Sequence, residues 1–193
     1  RKKKIGSTSV NESINALKEL TITLLGKRAK RNALEIESSE PILKINNIGA
    51  VEAINLSTRM FAHQMIEEAM IAANICAITF VKSSIGISIN RFHDKPDTDK
   101  LLALFEKFQS LGLKKSDDPI ILLQRCIEIA KRNENAASLQ SLILQGLPRA
   151  IYSSKKSGHF GLQLEEYSHF TSPIRRYPCL LYTSPSPRDG DES

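Results

Sequence analysis

Residues 158–178 have the sequence GHFGLQLEEYSHFTSPIRRYP. The stretch lacks a regular apolar period and predicts a loop, in which Pro173 and Pro178 fix the backbone on both sides of Arg175 and Arg176. Two adjacent guanidiniums held in this way suit a phosphate better than a carboxylate-lined core. The alternative is one surface arginine and one structural arginine, which is the commoner fate of an arginine pair.

The bulk properties of the chain set limits on its class. Its 193 residues are enough for one domain with a core, and a net charge of +6 is compatible with a nucleic-acid partner. We find no apolar run long enough to span a bilayer and no signal peptide. Three cysteines without a CxxC motif predict buried, reduced thiols and a cytoplasmic location. The chain does not begin with Met, and we expect it to begin within a longer protein.

The periodicity along the chain predicts an α+β fold in which helices dominate and a few antiparallel strands accompany them. We expect Ser9 and Glu12 to cap the first helix, the basic run 27–31 to form its solvated end, and Ser57 or Thr58 to cap a long, centrally buried helix. The predicted helices cover residues 10–30, 58–81, 97–110, 119–131 and 135–152, the last bent or broken at Pro148, and the predicted strands cover 34–37, 42–45, 51–54 and 86–92.

Glu67 lies in an apolar helical segment and is a candidate functional residue. At helical spacing it shares a face with Met70, Ile71 and Asn74. A carboxylate on such a helix must find a partner or face a wet cavity. The alternative is a solvated pair formed by Glu67 and Glu68 at a helix edge.

Histidines and aspartates elsewhere in the chain could be taken for metal ligands. His159 and His169 flank the loop without a third ligand at zinc spacing, and we expect them to fix the loop by hydrogen bonds. Asp94, Asp97 and Asp99 stand at a predicted helix start, where acids cap amides and interact favourably with the helix dipole. Pro96 fits the first turn of that helix.

The sequence changes character at Cys179. Residues 179–193 have no period and are similar to the translation of a transposon adaptor used in sequencing libraries. We interpret them as a non-native tail and residues 1–178 as the natural portion. The alternative is a natural linker rich in Ser and Pro.

Three segments of the chain resemble the ribonuclease II / ribonuclease R family, whose catalytic domain is called RNB. The similarity extends over about residues 14–178 and is strongest at 65–78, 91–98 and 158–178. Details in 92–96 and 172–178 are more similar to the ribonuclease R branch. Members are hydrolytic 3′→5′ exoribonucleases that degrade single-stranded RNA to nucleoside 5′-monophosphates.

The resemblance implies roles for individual residues. Arg175 matches the arginine that contacts the scissile phosphate, where it would neutralise developing charge. Glu67, with Glu68 as the second choice, matches a glutamate that holds the ribose of the bound RNA, a way to prefer RNA over DNA. Arg176 and Tyr177 are expected to support this site, and both belong with His159 to the predicted RNA-binding set.

The resemblance also shows what this stretch of sequence lacks. In the family, magnesium is held by an aspartate cluster upstream of the matched region, so the Mg²⁺ ligands are expected outside this chain. At Ile36 the family tends to place a base-stacking aromatic, which puts a clamp there in doubt. We therefore interpret the chain as the C-terminal portion of an RNB domain, inactive alone. Its parent is expected to be a monomeric protein that binds single-stranded RNA and no membrane.

Two alternatives stay open at the level of sequence. One is a non-catalytic RNA-binding relative whose metal site has decayed, which only the upstream sequence separates from an enzyme. The other is a basic helical scaffold unrelated to RNA. Phosphate contacts give RNA binding a steep salt dependence, which the scaffold would not show.

Overall fold

The computed structural model describes residues 8–36, 41–56, 59–172 and 176. In these ranges the helices and strands confirm the predicted α+β, helix-rich architecture. They are α1 (Thr8–Lys30), β1 (Pro41–Ile45), β2 (Val51–Leu56), α2 (Phe61–Ile85), β3 (Asn90–Phe92), α3 (Thr98–Gln109), α4 (Pro119–Lys131), α5 (Ala136–Gly146), β4 (Ile151–Ser153) and a short 3₁₀ helix (Phe160–Leu162).

Contacts divide the chain into two compact units. The first unit contains the described residues of 1–31, 65–94 and 149–193, and the second contains those of 32–64 and 95–148. The division of the sequence into residues 1–178 and a foreign tail stays a prediction, because the tail lies outside the described residues.

Three helices, α3, α4 and α5, form the core of the second unit. Helix α4 begins at Pro119 as predicted, and the Asp118 carboxylate caps it by accepting a hydrogen bond from the Ile120 N–H at 2.8 Å. The helix α5 ends at Gly146, before Pro148, which cannot continue it. The fully buried side chains of this unit are apolar: Phe108, Leu123, Cys126, Ala130 and Ile143.

Asp97 occupies the N-cap position of α3, but its side chain makes no capping hydrogen bond. The expectation that it caps an amide is therefore wrong, although its position and that of Asp99 in the first turn are as predicted. Pro96 precedes the cap instead of lying in the first turn, and it is buried.

A hairpin formed by β1 and β2 also belongs to the second unit. The strands are antiparallel, with Leu43 opposite Ile54, and the Oδ1 atom of Asn46 closes the turn by accepting from the N–H groups of Ile48 and Ala50 at 3.1 and 2.9 Å. Gly49 takes a φ of 81°, which explains glycine there. The predicted strand at 34–37 does not form over residues 34–36, and Glu37 lies outside the described residues.

The long helices α1 and α2 differ from the sequence predictions at their ends and in their burial. Ser9 lies inside α1, so the predicted capping box with Glu12 is wrong, and the predicted caps Ser57 and Thr58 of α2 lie outside the described residues. Only one face of α2 is buried, at Glu68, Ile71, Asn74 and Ile78, so the expectation of a centrally buried helix is also wrong.

By length and composition alone, α2 could cross a membrane, contrary to the sequence-based expectation. One such helix is weak evidence, because the core helix of a soluble protein can have the same properties. Cys76 on α2 is exposed, whereas Cys126 on α4 is buried, and burial raises the pKa of the Cys126 thiol to about 12. The prediction of buried thiols thus holds for Cys126 and not for Cys76, and Cys179 lies outside the described residues.

Candidate nucleic-acid interface

A buried guanidinium near the end of α1 holds two carboxylates of α2. Arg28 Nη1 donates to Glu68 Oε1 at 2.7 Å and to Glu67 Oε1 at 3.1 Å. Desolvation lowers the pKa of Arg28, but the hydrogen bonds to the two carboxylates outweigh it, and the pKa lies above its ordinary value. Arg28 is thus charged, and the expectation of a solvated basic helix end is wrong for this residue, which is only 9% exposed.

The two glutamates occupy different environments. The Glu68 side chain is 3% exposed and satisfied by Arg28, whereas the Glu67 side chain is 41% exposed. The exposed Glu67 can therefore accept a hydrogen bond from a ligand hydroxyl while Arg28 fixes its position.

Asn74, two turns after Glu67 on α2, holds the start of the arginine-containing segment. Its Nδ2 donates to the Tyr167 hydroxyl at 2.9 Å, and its Oδ1 accepts from the Phe170 and Thr171 N–H groups at 2.8 and 3.0 Å. The Asn74 side chain is almost fully buried, at 1% exposure. The helix and the segment 167–171 are thereby joined through one side-chain amide.

Tyr167 lies where several charges of the candidate site meet. Burial raises its pKa; the hydrogen bond from Asn74 and the positive charges of Arg176 and Arg28 oppose this effect, and the charge of Glu67 adds to it. Arg176 is half-buried. The structure therefore brings two predicted site residues, Glu67 and Arg176, within electrostatic range of the same phenol.

The histidines fix the loop by hydrogen bonds, as predicted. His159 Nδ1 accepts from the Leu162 N–H at 3.2 Å, and His169 Nδ1 lies 2.8 Å from the Tyr152 hydroxyl oxygen. His93, at the end of β3, adds a third contact, since its Nδ1 accepts from the Gly161 N–H at 3.0 Å. These three imidazoles stabilise the loop that leads into the arginine motif.

Burial and, to a smaller extent, the neighbouring His93 together lower the pKa of His159 to about 4. Neutral His159 keeps the Nδ1 lone pair that accepts from Leu162. A contact between His159 and RNA stays a prediction.

Two predicted site residues, Arg175 and Tyr177, lie outside the described residues. Their roles stay predictions, as does that of Ile36, which is half-buried.

Sequence reasoning missed Arg28 and His93 and assigned Asn74 and Tyr167 no role. A signal for Asn74 was present, because an amide on the apolar face that also bears Glu67 needs a buried partner. No sequence signal identified Arg28, since one buried arginine in a basic run looks like its solvated neighbours.

Within the described ranges, no group of three or more His, Cys, Asp or Glu side chains is arranged to hold a metal ion. These residues do not fit a magnesium site. The expected Mg²⁺ stays a prediction that concerns residues elsewhere.

The family model described as RNB domain matches residues 1–182 of this chain. The chain belongs to the RNB domain family. Ribonuclease R of Escherichia coli (strain K12) is 38% identical over 157 residues, which cover 79% of this chain and 19% of that protein. Curated relatives of the same name match at 31–38% identity.

Solved structures give the same result for the fold. Mycoplasma genitalium RNase R, in complex with ribose methylated single-stranded RNA, aligns with a TM-score of 0.81 and 26% identity over 93% of this chain and 29% of that chain. Yeast Ssd1, a pseudonuclease, aligns with a TM-score of 0.60 at 19% identity over 86% of this chain and 22% of its own, which shows the fold alone. The chain thus spans about a fifth of the length of the Escherichia coli relative.

Proposed function

We propose that this chain forms part of the RNA-binding site of a hydrolytic 3′→5′ exoribonuclease of the ribonuclease R type, which degrades single-stranded RNA to nucleoside 5′-monophosphates in the cytoplasm. Glu67 accepts a hydrogen bond from a ribose hydroxyl, and Arg175 and Arg176 contact the backbone phosphate. The parent protein is a monomer, and the chain by itself is inactive.

The observation that carries this proposal is the arrangement of charges around Tyr167. An exposed carboxylate, Glu67, is fixed by Arg28, and the cation of Arg176 acts on the same phenol. An acceptor and a cation in the same unit suit the hydroxyl and the phosphate of a bound nucleotide. The RNase R of Mycoplasma genitalium, whose structure was determined with single-stranded RNA, aligns with 93% of this chain and thereby supports RNA as the ligand.

Magnesium, which would activate water in this reaction, is held by residues outside this chain. The described residues Glu67 and Arg176 bind and orient the strand. The only chemical role assigned to this chain is charge neutralisation by Arg175, which lies outside the described residues. Loss of activity in the isolated chain with retention in the parent protein would fit this division of labour.

The experiment compares Glu67→Gln with Glu106→Gln, an exposed carboxylate on α3, in the full-length protein that contains this chain. Poly(A) and poly(dA) of equal length serve as ligands in a buffer containing a chelator. Glutamine keeps a neutral acceptor, which contributes about 0.5–1.5 kcal/mol where the charged acceptor contributes about 1.5–3 kcal/mol. Glu67→Gln should therefore weaken poly(A) binding about fivefold and leave poly(dA) binding unchanged. Equal losses for both polymers, or a loss in Glu106→Gln, would contradict the ribose contact.

Degradation is measured separately with magnesium. Release of nucleoside 5′-monophosphates from the 3′ end supports the enzyme. Binding to poly(A) with a steep salt dependence and no degradation would replace the proposal with its alternative, a non-catalytic RNA-binding relative.

A further inference from the structure

We propose that Asn74 is a positioning residue for the phosphate contact: its side-chain amide fixes the backbone at residues 170–171, shortly before the arginine pair in the sequence. This inference rests on the proposed function, since it names what holds the arginines of that site in place.

The first argument is the number and direction of the Asn74 hydrogen bonds. Two consecutive N–H groups, those of Phe170 and Thr171, donate to one oxygen, Oδ1, at 2.8 and 3.0 Å, and the Thr171 hydroxyl lies 3.3 Å from it. The two N–H groups can only donate, so they identify Oδ1 as the acceptor, and Nδ2 donates to the Tyr167 hydroxyl at 2.9 Å. The amide therefore has one orientation, and this orientation fixes the direction of the backbone at 170–171.

The second argument is the backbone conformation that follows. Ser172 has a φ of 65°, in the left-handed region that residues other than glycine seldom adopt. The next residue is Pro173, which disfavours helical conformations in the residue before it. Such a conformation persists only where the surroundings determine it, and the Asn74 hydrogen bonds lie directly before it.

The third argument is that the preceding residues are fixed by other contacts. The Arg91 N–H donates to the Tyr167 carbonyl oxygen at 2.7 Å, and the Ser168 hydroxyl donates to the Ile89 carbonyl oxygen at 2.6 Å. The segment is thus held by β3 and its flank up to Ser168 and by α2 at Phe170 and Thr171. Removal of Asn74 releases the part nearest the arginines and leaves the upstream contacts intact.

The test uses the salt dependence of binding, because Asn74 carries no charge. For single-stranded nucleic acid, log Kobs falls with log[salt] with a slope of about −0.7 for each phosphate neutralised. If Asn74 positions the arginines, Asn74→Ala should reduce the magnitude of the slope by about 0.7 to 1.4, as Arg175→Gln or Arg176→Gln would. If Asn74 only stabilises the fold, Asn74→Ala would lower the fraction of protein that can bind poly(A) equally at every salt concentration. The slope would then stay unchanged.

The measurement is poly(A) binding by the full-length protein, with magnesium chelated, between about 50 and 200 mM salt. The matched control is Asn90→Ala, which removes the same group from a buried asparagine of β3 whose Oδ1 has no hydrogen-bond partner in the described part of the chain. It should keep the wild-type slope. In Asn74→Ala, hydrogen exchange at the Phe170 and Thr171 amides should accelerate more than exchange in α4.

A double-mutant cycle separates this inference from the proposed function. The double variant Asn74→Ala/Arg175→Gln should lose less affinity than the sum of the two single losses. The reason is that both substitutions weaken the same phosphate contact. A wild-type protein that does not bind poly(A) would overturn the proposed function. A wild type with a steep slope that Arg175→Gln reduces and Asn74→Ala does not would overturn the positioning role alone.

A second variant covers the case in which Asn74→Ala does not fold. Tyr167→Phe removes the hydroxyl that accepts from Asn74 Nδ2 and retains the phenyl ring and Asn74 itself. It should reduce the slope by a smaller amount than Arg175→Gln. An unchanged slope in a folded Tyr167→Phe protein would overturn the proposal.

Discussion

The two units of this chain bury different kinds of side chain. Most of the buried apolar residues that the structure describes lie in the second unit, where α3, α4 and α5 pack around Phe108 and Leu123. The buried polar residues of the described ranges all lie in the first unit: Thr21, Arg28, Glu68, Asn74, Ser88, Asn90 and Ser168.

The apolar interior of the second unit mainly provides stability, whereas the buried polar groups of the first unit mainly fix the positions of side chains and backbone. Apolar burial has no direction and stabilises in proportion to area, about 25 cal/mol per Å², so the second unit tolerates changes that keep its volume. Buried polar groups contribute little net stability but cost much when a partner is lost, so each fixes one geometry. The candidate RNA-contacting residues that the structure describes, Glu67, His159 and Arg176, lie in the unit that contains the buried polar side chains.

The largest effect is expected where a buried charge loses its partner. Arg28→Met leaves the Glu68 carboxylate buried without compensation and should lower the free energy of unfolding by about 3–5 kcal/mol. Arg28→Met/Glu68→Met replaces the pair by apolar groups and should recover most of this loss. Denaturant unfolding of the wild type, the single variant and the double variant measures these free energies. A double variant as unstable as Arg28→Met would show that the ion pair itself stabilises the first unit.

The corresponding change in the apolar core is Leu123→Ala. Leu123 is 0% exposed, and its truncation should cost about 2–5 kcal/mol, because a cavity adds to the lost transfer energy. Leu102→Ala on α3, where the leucine is 50% exposed, is the matched control and should cost far less. Equal losses in the two variants would show that the second unit is not packed as described.

A pH dependence of stability is expected from His159. Its pKa in the folded state, about 4, lies below the ordinary value of 6.5, so the unfolded chain binds more protons between these two values. Stability should therefore decrease as the pH falls from about 6.5 to 4, by about 2 kcal/mol after allowance for partial exposure. Urea titrations at a series of pH values measure the free energy of unfolding. His159→Asn should remove its decrease towards low pH, and His63→Asn, at an exposed position on α2, should retain it.

The smallest effect distinguishes two glycines of the first unit. A Cβ atom on Gly161 would lie 3.1 Å from His93 Nδ1, the atom that accepts from the Gly161 N–H, so Gly161→Ala should destabilise by about 1–3 kcal/mol. Gly26 lies within α1 with no atom within 4 Å of such a Cβ, and Gly26→Ala should stabilise by about 0.5–1 kcal/mol. Thermal unfolding that shifts both variants in the same direction would contradict the contact with His93.

The sequence predicted local features well where one residue decides them. Asp118 and Pro119 fixed the start of α4, and Pro148 excluded the continuation of α5. Two other local predictions were wrong. Ser9 has the composition of a cap but lies inside α1, and the residues 34–36 of a predicted strand form none.

The candidate site divides in the same way. By itself the sequence determined the helices of the second unit, the family resemblance and the choice of Glu67, because these depend on residue type and spacing. Only the tertiary structure decided that Arg28 is buried against Glu68, that Glu67 stays exposed, and that Asn74 reaches Phe170 and Thr171. Those partners lie between 39 and 97 positions apart in the chain, and no local pattern encodes which distant groups will satisfy a buried polar atom.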